Sequence, residues 1–374
     1  MKTILSQTQI LATAACVAIL AAGCSGGAGS HSSYGLPPGA TQALRRPSAP
    51  TVTEYVIPRR RLARPKTFPI GITLGPDGAM WFAERGLGKL GSITTDGQNF
   101  SGPFKLTGQA RFPQNVTTGP DGNLWAVAGS TRRYSQESNG VPDPYGAVVA
   151  MTPAGVVVKV RALPMFSDPR TIISGPDGNL WFTQTSGYIG RIRLPDYKLN
   201  EFKIPHHNKA YGIVAAPDGN IWFSETFNDQ LGRITITAKG KITITMFPCP
   251  SPSGLVVGPD GNLWVSEFLA HGVAEVSTAP STSGSILQQV ELPAGSSPKG
   301  LAVGGDGNLY VADFSTGKIA VVSPVAGAAK LLGKIEPPTP KSGPWIIAAD
   351  GAGNIWFTES LKGKVGKITL STSR

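Results

Sequence analysis

The sequence predicts an all-β fold, a seven-bladed β-propeller with four-stranded blades. Three observations predict it. One short phrase returns seven times, as GPDGAMWFAE from Gly75, GPDGNLWAVA from Gly119, GPDGNLWFTQ from Gly175, APDGNIWFSE from Ala216, GPDGNLWVSE from Gly258, GGDGNLYVAD from Gly304 and DGAGNIWFTE from Asp350. Its aromatics, Trp81, Trp125, Trp181, Trp222, Trp264, Tyr310 and Trp356, are spaced 44, 56, 41, 42, 46 and 46 residues apart, and a period near forty marks one supersecondary unit copied many times. Each period also carries three turn signals, which divide it into four β-prone runs.

The elements follow in chain order. Residues 1–23 hold one Lys and a short apolar run ending in small residues, which reads as a secretory leader and is too short for a membrane span. Small residues directly before Cys24 match a bacterial lipoprotein cleavage site, although Leu20 stands one place further from the Cys than usual. Cys24 is therefore the expected lipidation site, and Ser25 after it predicts outer-membrane sorting in a two-membrane cell. Residues 24–50 are rich in Gly, Ser and Pro and predict a flexible tether. Residues 51–374 form the propeller.

Blade four, from Tyr211, illustrates the unit. Asp218-Gly219, Asn228-Asp229 and Lys239-Gly240 separate its strands a to d, and Asp-Gly predicts a tight hairpin whose two central residues both have φ > 0. The b strand, Ile-Trp-Phe, is apolar without alternation, as expected of a strand buried on both faces. The repeat aromatics are accordingly core residues. The last copy ends on its third strand, and the run TEYVIP near residues 53–58 matches the outer-strand phrase EFKIP near residues 201–205. The N-terminal strand should therefore complete blade seven and close the ring, removing an open sheet edge.

Composition narrows the function. After the leader and Cys24, only Cys249 remains of three cysteines, so neither an internal disulfide nor a thiolate zinc site is available. The net charge is +11, with five cations clustered at residues 59–66. That cluster reads as a solvated loop, with an anionic envelope surface as its alternative partner. Nucleic acid is not an expected partner of an exported chain without basic and aromatic interleaving. The expected state is a monomer.

Strand parity sorts the loops into two faces. The a–b turns share one face, and their aspartates are explained by turn geometry. The b–c and d–a loops share the other, which collects His206, His207, His271, the basic loop and an insertion at residues 129–145. Two rings of variable positions run toward that face. One precedes strand a: Ile70, Gln114, Arg170, Tyr211, Ser253, Lys299 and Trp345. The other closes strand b: Glu84, Ala128, Gln184, Glu225, Glu267, Asp313 and Glu359. Arg170, His207, Tyr211, Glu225, Glu267, His271, Lys299, Trp345 and Glu359 are the candidate ligand-binding residues. His207, Glu225, Glu267 and His271 offer a mixed nitrogen and oxygen set of the kind a borderline divalent metal accepts. The alternative is that these acids pair with neighbouring cations such as Arg170 and Lys299.

The phrases GPDGNLWFTQ, LGRIT and EFKIP resemble the virginiamycin B lyase (streptogramin lyase) family across residues 51–374, and more loosely the NHL-repeat and SMP-30-like propellers. The resemblance implies a lyase that opens a cyclic depsipeptide by elimination across its ester, with Mg²⁺ and a histidine base. It also brings departures. The family's Pro-His-Gly corresponds to Pro344-Trp345-Ile346, an acid just before that Pro corresponds to Gly343, and a second family His corresponds to Lys299. Glu359 lies close to a family metal-ligand position, which makes it, with Glu225 and Glu267, a candidate metal ligand. Indole accepts no proton, so the implied mechanism lacks its base. The expected function is thus a lipid-anchored extracytoplasmic propeller, on the periplasmic or cell-surface side, that binds a small-molecule, peptide or protein ligand on its variable face. The alternatives are a Mg²⁺-dependent carbon–oxygen lyase and a structural envelope or adhesion module that uses the 129–145 insertion.

Overall fold

The computed structural model describes residues 50–58, 67–106, 110–129, 145–194 and 196–370, with the backbone alone for Tyr145 and His207. The basic loop at 59–66, most of the insertion at 129–145, and Cys24 with its flanks lie outside the described residues.

Seven antiparallel four-stranded sheets follow one another in sequence. Blade one runs through Pro69–Leu74, Met80–Glu84, Lys89–Ile93 and Phe100–Lys105 as strands a to d. The a strands of neighbouring blades touch each other all the way round, so they line the axis and the d strands form the outer wall. Blade seven is composite. Its first three strands are Pro344–Ala349, Ile355–Glu359 and Lys364–Thr369, and its fourth is Thr51–Val56. That strand pairs antiparallel with the third, Thr51 opposite Thr369 and Val56 opposite Lys364. Glu54 latches the closure by accepting hydrogen bonds from Lys364 Nζ at 2.5 Å and from Thr339 N and Oγ1 at 2.6 Å each.

The core is not one mass but seven buried clusters, one in each seam between adjacent blades. Strand alternation explains this. In each b strand the Trp faces one seam and the following apolar residue faces the other, as Trp81 and Phe82 do. The six blade tryptophans are wholly buried or nearly so, and each removes on the order of 5 kcal/mol of gross apolar surface from water.

Buried indole N–H groups need acceptors. The turn aspartates supply them, from Asp77 to Trp81 at 2.9 Å, Asp121 to Trp125 at 3.0 Å, Asp177 to Trp181 at 2.8 Å and Asp218 to Trp222 at 3.2 Å. Asp350 does the same for Trp356, and Asp306 accepts from Tyr310 Oη, both at 2.9 Å. Blade five differs, since Trp264 Nε1 has no partner. There the c-strand residue opposite the Trp is Glu275, where blades three and four have Arg191 and Arg233.

The a–b turns correct one expectation. Only the glycine is left-handed, as at Gly78 with φ 78°, while Asp77 is not. Gly78 N donates to Gly75 O and Gly75 N to Ala79 O, so the loop is longer than a two-residue hairpin. In five of the seven turns the preceding proline holds φ negative at the first central position, which favours a type I turn ending in a left-handed glycine. Blades six and seven, with Gly305 and Gly351 there, make the same turn hydrogen bonds.

Candidate functional site

The variable ring before strand a sits in a backbone irregularity. Pro69 pairs with Glu84 and Ile72 with Phe82, so Ile70 and Gly71 together face one residue of strand b. The same slip recurs after Pro169, Pro252, Pro298 and Pro344. Such bulges re-aim a side chain. Here they stand at the axial end of the innermost strands, beside the b–c and d–a loops, and together ring a mouth.

Hydroxyls on four b strands tie this ring together. Ser266 Oγ accepts from Gly254 N in its own blade at 2.8 Å and donates to Lys299 O in the next blade at 2.6 Å. Ser224 repeats this between Gly212 N and Ser253 O, and Thr183 between Thr171 N and Tyr211 O. Thr358 donates to Ile70 O across the closing seam at 2.7 Å. Blades one, two and six have Ala83, Val127 and Ala312 at this position. The sequence signal was present, as the variable residue in Trp-Phe-x-Glu, but its partners are carbonyls that no side-chain pattern reveals.

Two groups of cations and rings face the mouth. The Arg170 guanidinium lies 5.9 Å from the Tyr211 ring and pairs with Asp168 at 2.5 Å. Tyr211 in turn meets Phe227 edge-on at 5.7 Å. Across the ring, Lys299 Nζ lies 3.4 Å from the Phe268 centroid and 5.0 Å from that of Trp345. Trp345 meets Phe314 edge-on at 5.0 Å. Burial alone pulls the Lys299 amine down to about 8. The rings of Phe268 and Phe314 were missed from sequence; each directly follows the acid that closes strand b.

That second ring does not open to the mouth. Gln184 donates to Glu201 and Gln289 to Glu267, both partners being on outer strands. Asp313 meets Lys334 of the outer strand at 3.4 Å. The side chains thus turn away from the axis into the seams, where Glu84, Glu225, Glu267, Asp313 and Glu359 are buried. Burial pushes Glu84, Glu225 and Glu359 up to about 7, and raises Glu267 as well. Asp313 is the exception: burial opposes its ionisation, but hydrogen bonds and Lys334 outweigh it and hold it low. Arg170 and Lys299 are not the partners of these acids.

Of the mixed metal set, the described side chains of Glu225, Glu267 and His271 have partners elsewhere. Glu225 accepts from Asn208 at 3.0 Å, Glu267 from Gln289 at 2.7 Å, and the His271 ring engages Ser296 O of the neighbouring blade's loop. The His207 side chain lies outside the described residues. Among the described residues no three His, Cys, Asp or Glu side chains converge on a position that could hold an ion. Glu359 is wholly buried, with the Ser342 hydroxyl, Glu54 and Lys364 as its polar neighbours. The described residues do not gather a set that fits a Mg²⁺ ion.

Gly343 gives a physical reason for that departure. Its φ is 67°, and a Cβ there would fall 2.6 Å from Leu361 Cγ and 3.0 Å from Phe314. An acid just before Pro344 would therefore meet both backbone strain and an apolar wall. A second opening, of about 590 Å³, lies away from the mouth between the outer parts of blades four and five, lined by Asp229, Phe247, Cys249 and Ile286 among others. Burial pushes the Cys249 thiol up to about 12, so it is unreactive there.

Fold and mouth together define a seven-bladed propeller whose blades are uniform and whose axial rim is not. The chain belongs to the Virginiamycin B lyase family, whose pattern matches residues 47–134 and 143–373 and breaks inside the 129–145 insertion. Among solved structures it is similar to a streptogramin B lyase, at 23% identity and a TM-score of 0.69, over 86% of this chain and 98% of that one. A catalytically inactive variant of virginiamycin B lyase from Staphylococcus aureus with quinupristin matches at 25% identity and a TM-score of 0.69, over 86% of this chain and 100% of the other. Hydrazine synthase of Kuenenia stuttgartiensis, at 14% identity and a TM-score of 0.64 over 85% and 99%, shares the fold alone. No curated protein matches the chain.

Proposed function

We propose that this chain is a ligand-binding member of its family, using the axial mouth rather than a catalytic set. One observation carries the reading: the bulge ring presents Arg170, Tyr211, Lys299 and Trp345 in cation–ring contacts on an otherwise repeated scaffold. Regular blades supply rigidity, and variable residues held on rigid elements supply selectivity. Trp345 offers no proton acceptor where the resemblance places the base. The proposed setting is extracytoplasmic, with the chain anchored through Cys24; a Cys24→Ser variant that still incorporated labelled palmitate would remove the anchor.

Family membership favours a second reading, carbon–oxygen lyase activity on a streptogramin B ring. Incubating the full chain with quinupristin, with and without Mg²⁺, separates the two by mass. The expected outcome is unchanged quinupristin under both conditions. A linearised product that disappears on adding EDTA would establish the second reading and end the first.

A further inference from the structure

Among the described residues, one cation at the mouth has no counter-ion. Lys299 Nζ rests over Phe268 and beside Trp345, and no carboxylate among the described residues pairs with it. The two acids next to its ring neighbours are engaged elsewhere. Glu267, next to Phe268, accepts from Gln289, and Asp313, next to Phe314, is held by Lys334 and Ser297 N. The Lys299 backbone is pinned by Ser266, so the amine is presented from a fixed stem. Around it the surface is apolar: Phe268, Phe314, Trp345 and Leu361, the last 42% exposed. A half-buried ammonium in such surroundings has lost water without gaining an anion.

We propose that this half-site takes a ligand carboxylate borne on an aromatic or similarly flat apolar body. The inference rests on the mouth being the binding face. The carboxylate supplies the missing charge-assisted hydrogen bond to Nζ, and the apolar body covers the exposed rings. An amide or alcohol of the same shape cannot neutralise the ammonium. A ligand cation would meet a like charge. Because Lys299 titrates near 8 when burial is its only perturbation, an anion bound beside it raises that value. Affinity is therefore full below about pH 8 and falls above it, by up to about tenfold for each further pH unit.

The test uses the full chain labelled with 5-fluorotryptophan and read by fluorine NMR. Of its seven tryptophans, six are buried in the blades and Trp345 is at the mouth. Phenylacetate should shift the Trp345 signal, assigned with Trp345→Phe, and leave the six blade signals in place. Phenylacetamide should bind at least tenfold more weakly. Lys299→Met should abolish the phenylacetate response, Lys299→Arg should keep it within about threefold, and unmoved blade signals certify that both variants fold. Equal binding of phenylacetate and phenylacetamide, or a response that is flat between pH 6.5 and 9.5, would overturn the carboxylate assignment while leaving the mouth as a binding face. If acid, amide and quinupristin all leave the Trp345 signal unmoved, the mouth reading falls as well and the inference with it.

Discussion

At the scale of single residues, the buried acids are the most informative. Glu359 is wholly enclosed, and burial outweighs the Ser342 hydroxyl and Lys364 beside it. Its folded-state value, about 7, lies above the ordinary 4.5, as do those of Glu84 and Glu225. The protonated form is thus the one the fold favours. Between about pH 4.5 and 7 the unfolded chain releases protons that the folded chain keeps, so stability from these groups is complete below 4.5, declines through that window and is flat above it. Asp313 and Glu54 are lowered, so their contributions are lost only toward acid, outside the window. Glu359→Gln should raise the melting temperature at pH 8 by a few degrees and leave it unchanged near pH 4.5. The direction follows from linkage, in which a tenfold difference in proton affinity between folded and unfolded chain corresponds to about 1.4 kcal/mol. Thermal unfolding of both proteins across this range checks it; a variant less stable at both pH values would show that the carboxylate, not its proton, is what the seam requires.

Blades were legible because their signals are local. The phrase Pro-Asp-Gly followed by an apolar strand encodes a turn, a buried b strand and the acceptor for its indole, all within a few residues. What the residues could not disclose was direction. Glu267 and Trp264 belong to the same strand and were equally visible, yet only the register shows that the acid turns outward over strand c. The same limit hid Glu275, which stands where other blades have a cation, and left Trp264 without its acceptor. Blade five should therefore tolerate loss of its indole nitrogen better than blade seven, where Trp356 bonds Asp350. Trp356→Phe should cost about 1 kcal/mol more than Trp264→Phe in urea unfolding, since only the former removes a buried hydrogen bond to a carboxylate. Equal costs would mean that the indole bond to the turn acid contributes nothing.

For the molecule as a whole, closure was readable from two phrases about 300 residues apart in the numbering, TEYVIP and the truncated last copy. The mouth was readable as positions, not as contacts. The ring of Arg170, Tyr211, Lys299 and Trp345 was named from its place before strand a, whereas Phe268 and Phe314 entered only once neighbouring blades were set side by side. Closure also carries load. Removing residues 1–56 would expose the edge of Lys364–Thr369 and delete the Glu54 latch, so that protein should aggregate or lose cooperative unfolding, while removal of 1–49 should leave a monomer with an unchanged melting temperature. Size-exclusion chromatography and calorimetry distinguish the outcomes, and a compact, stable 57–374 fragment would show that the ring does not need its N-terminal strand.

That closing strand also has a polarity. Thr51 lies beside Thr369, at the Asp-Gly end of blade seven, and Val56 lies beside Lys364, at the rim. Thr51 therefore stands on the face opposite the cation-bearing opening. A probe fixed at Thr51 would accordingly sit away from Lys299 and its rings, and leave that opening free for solutes.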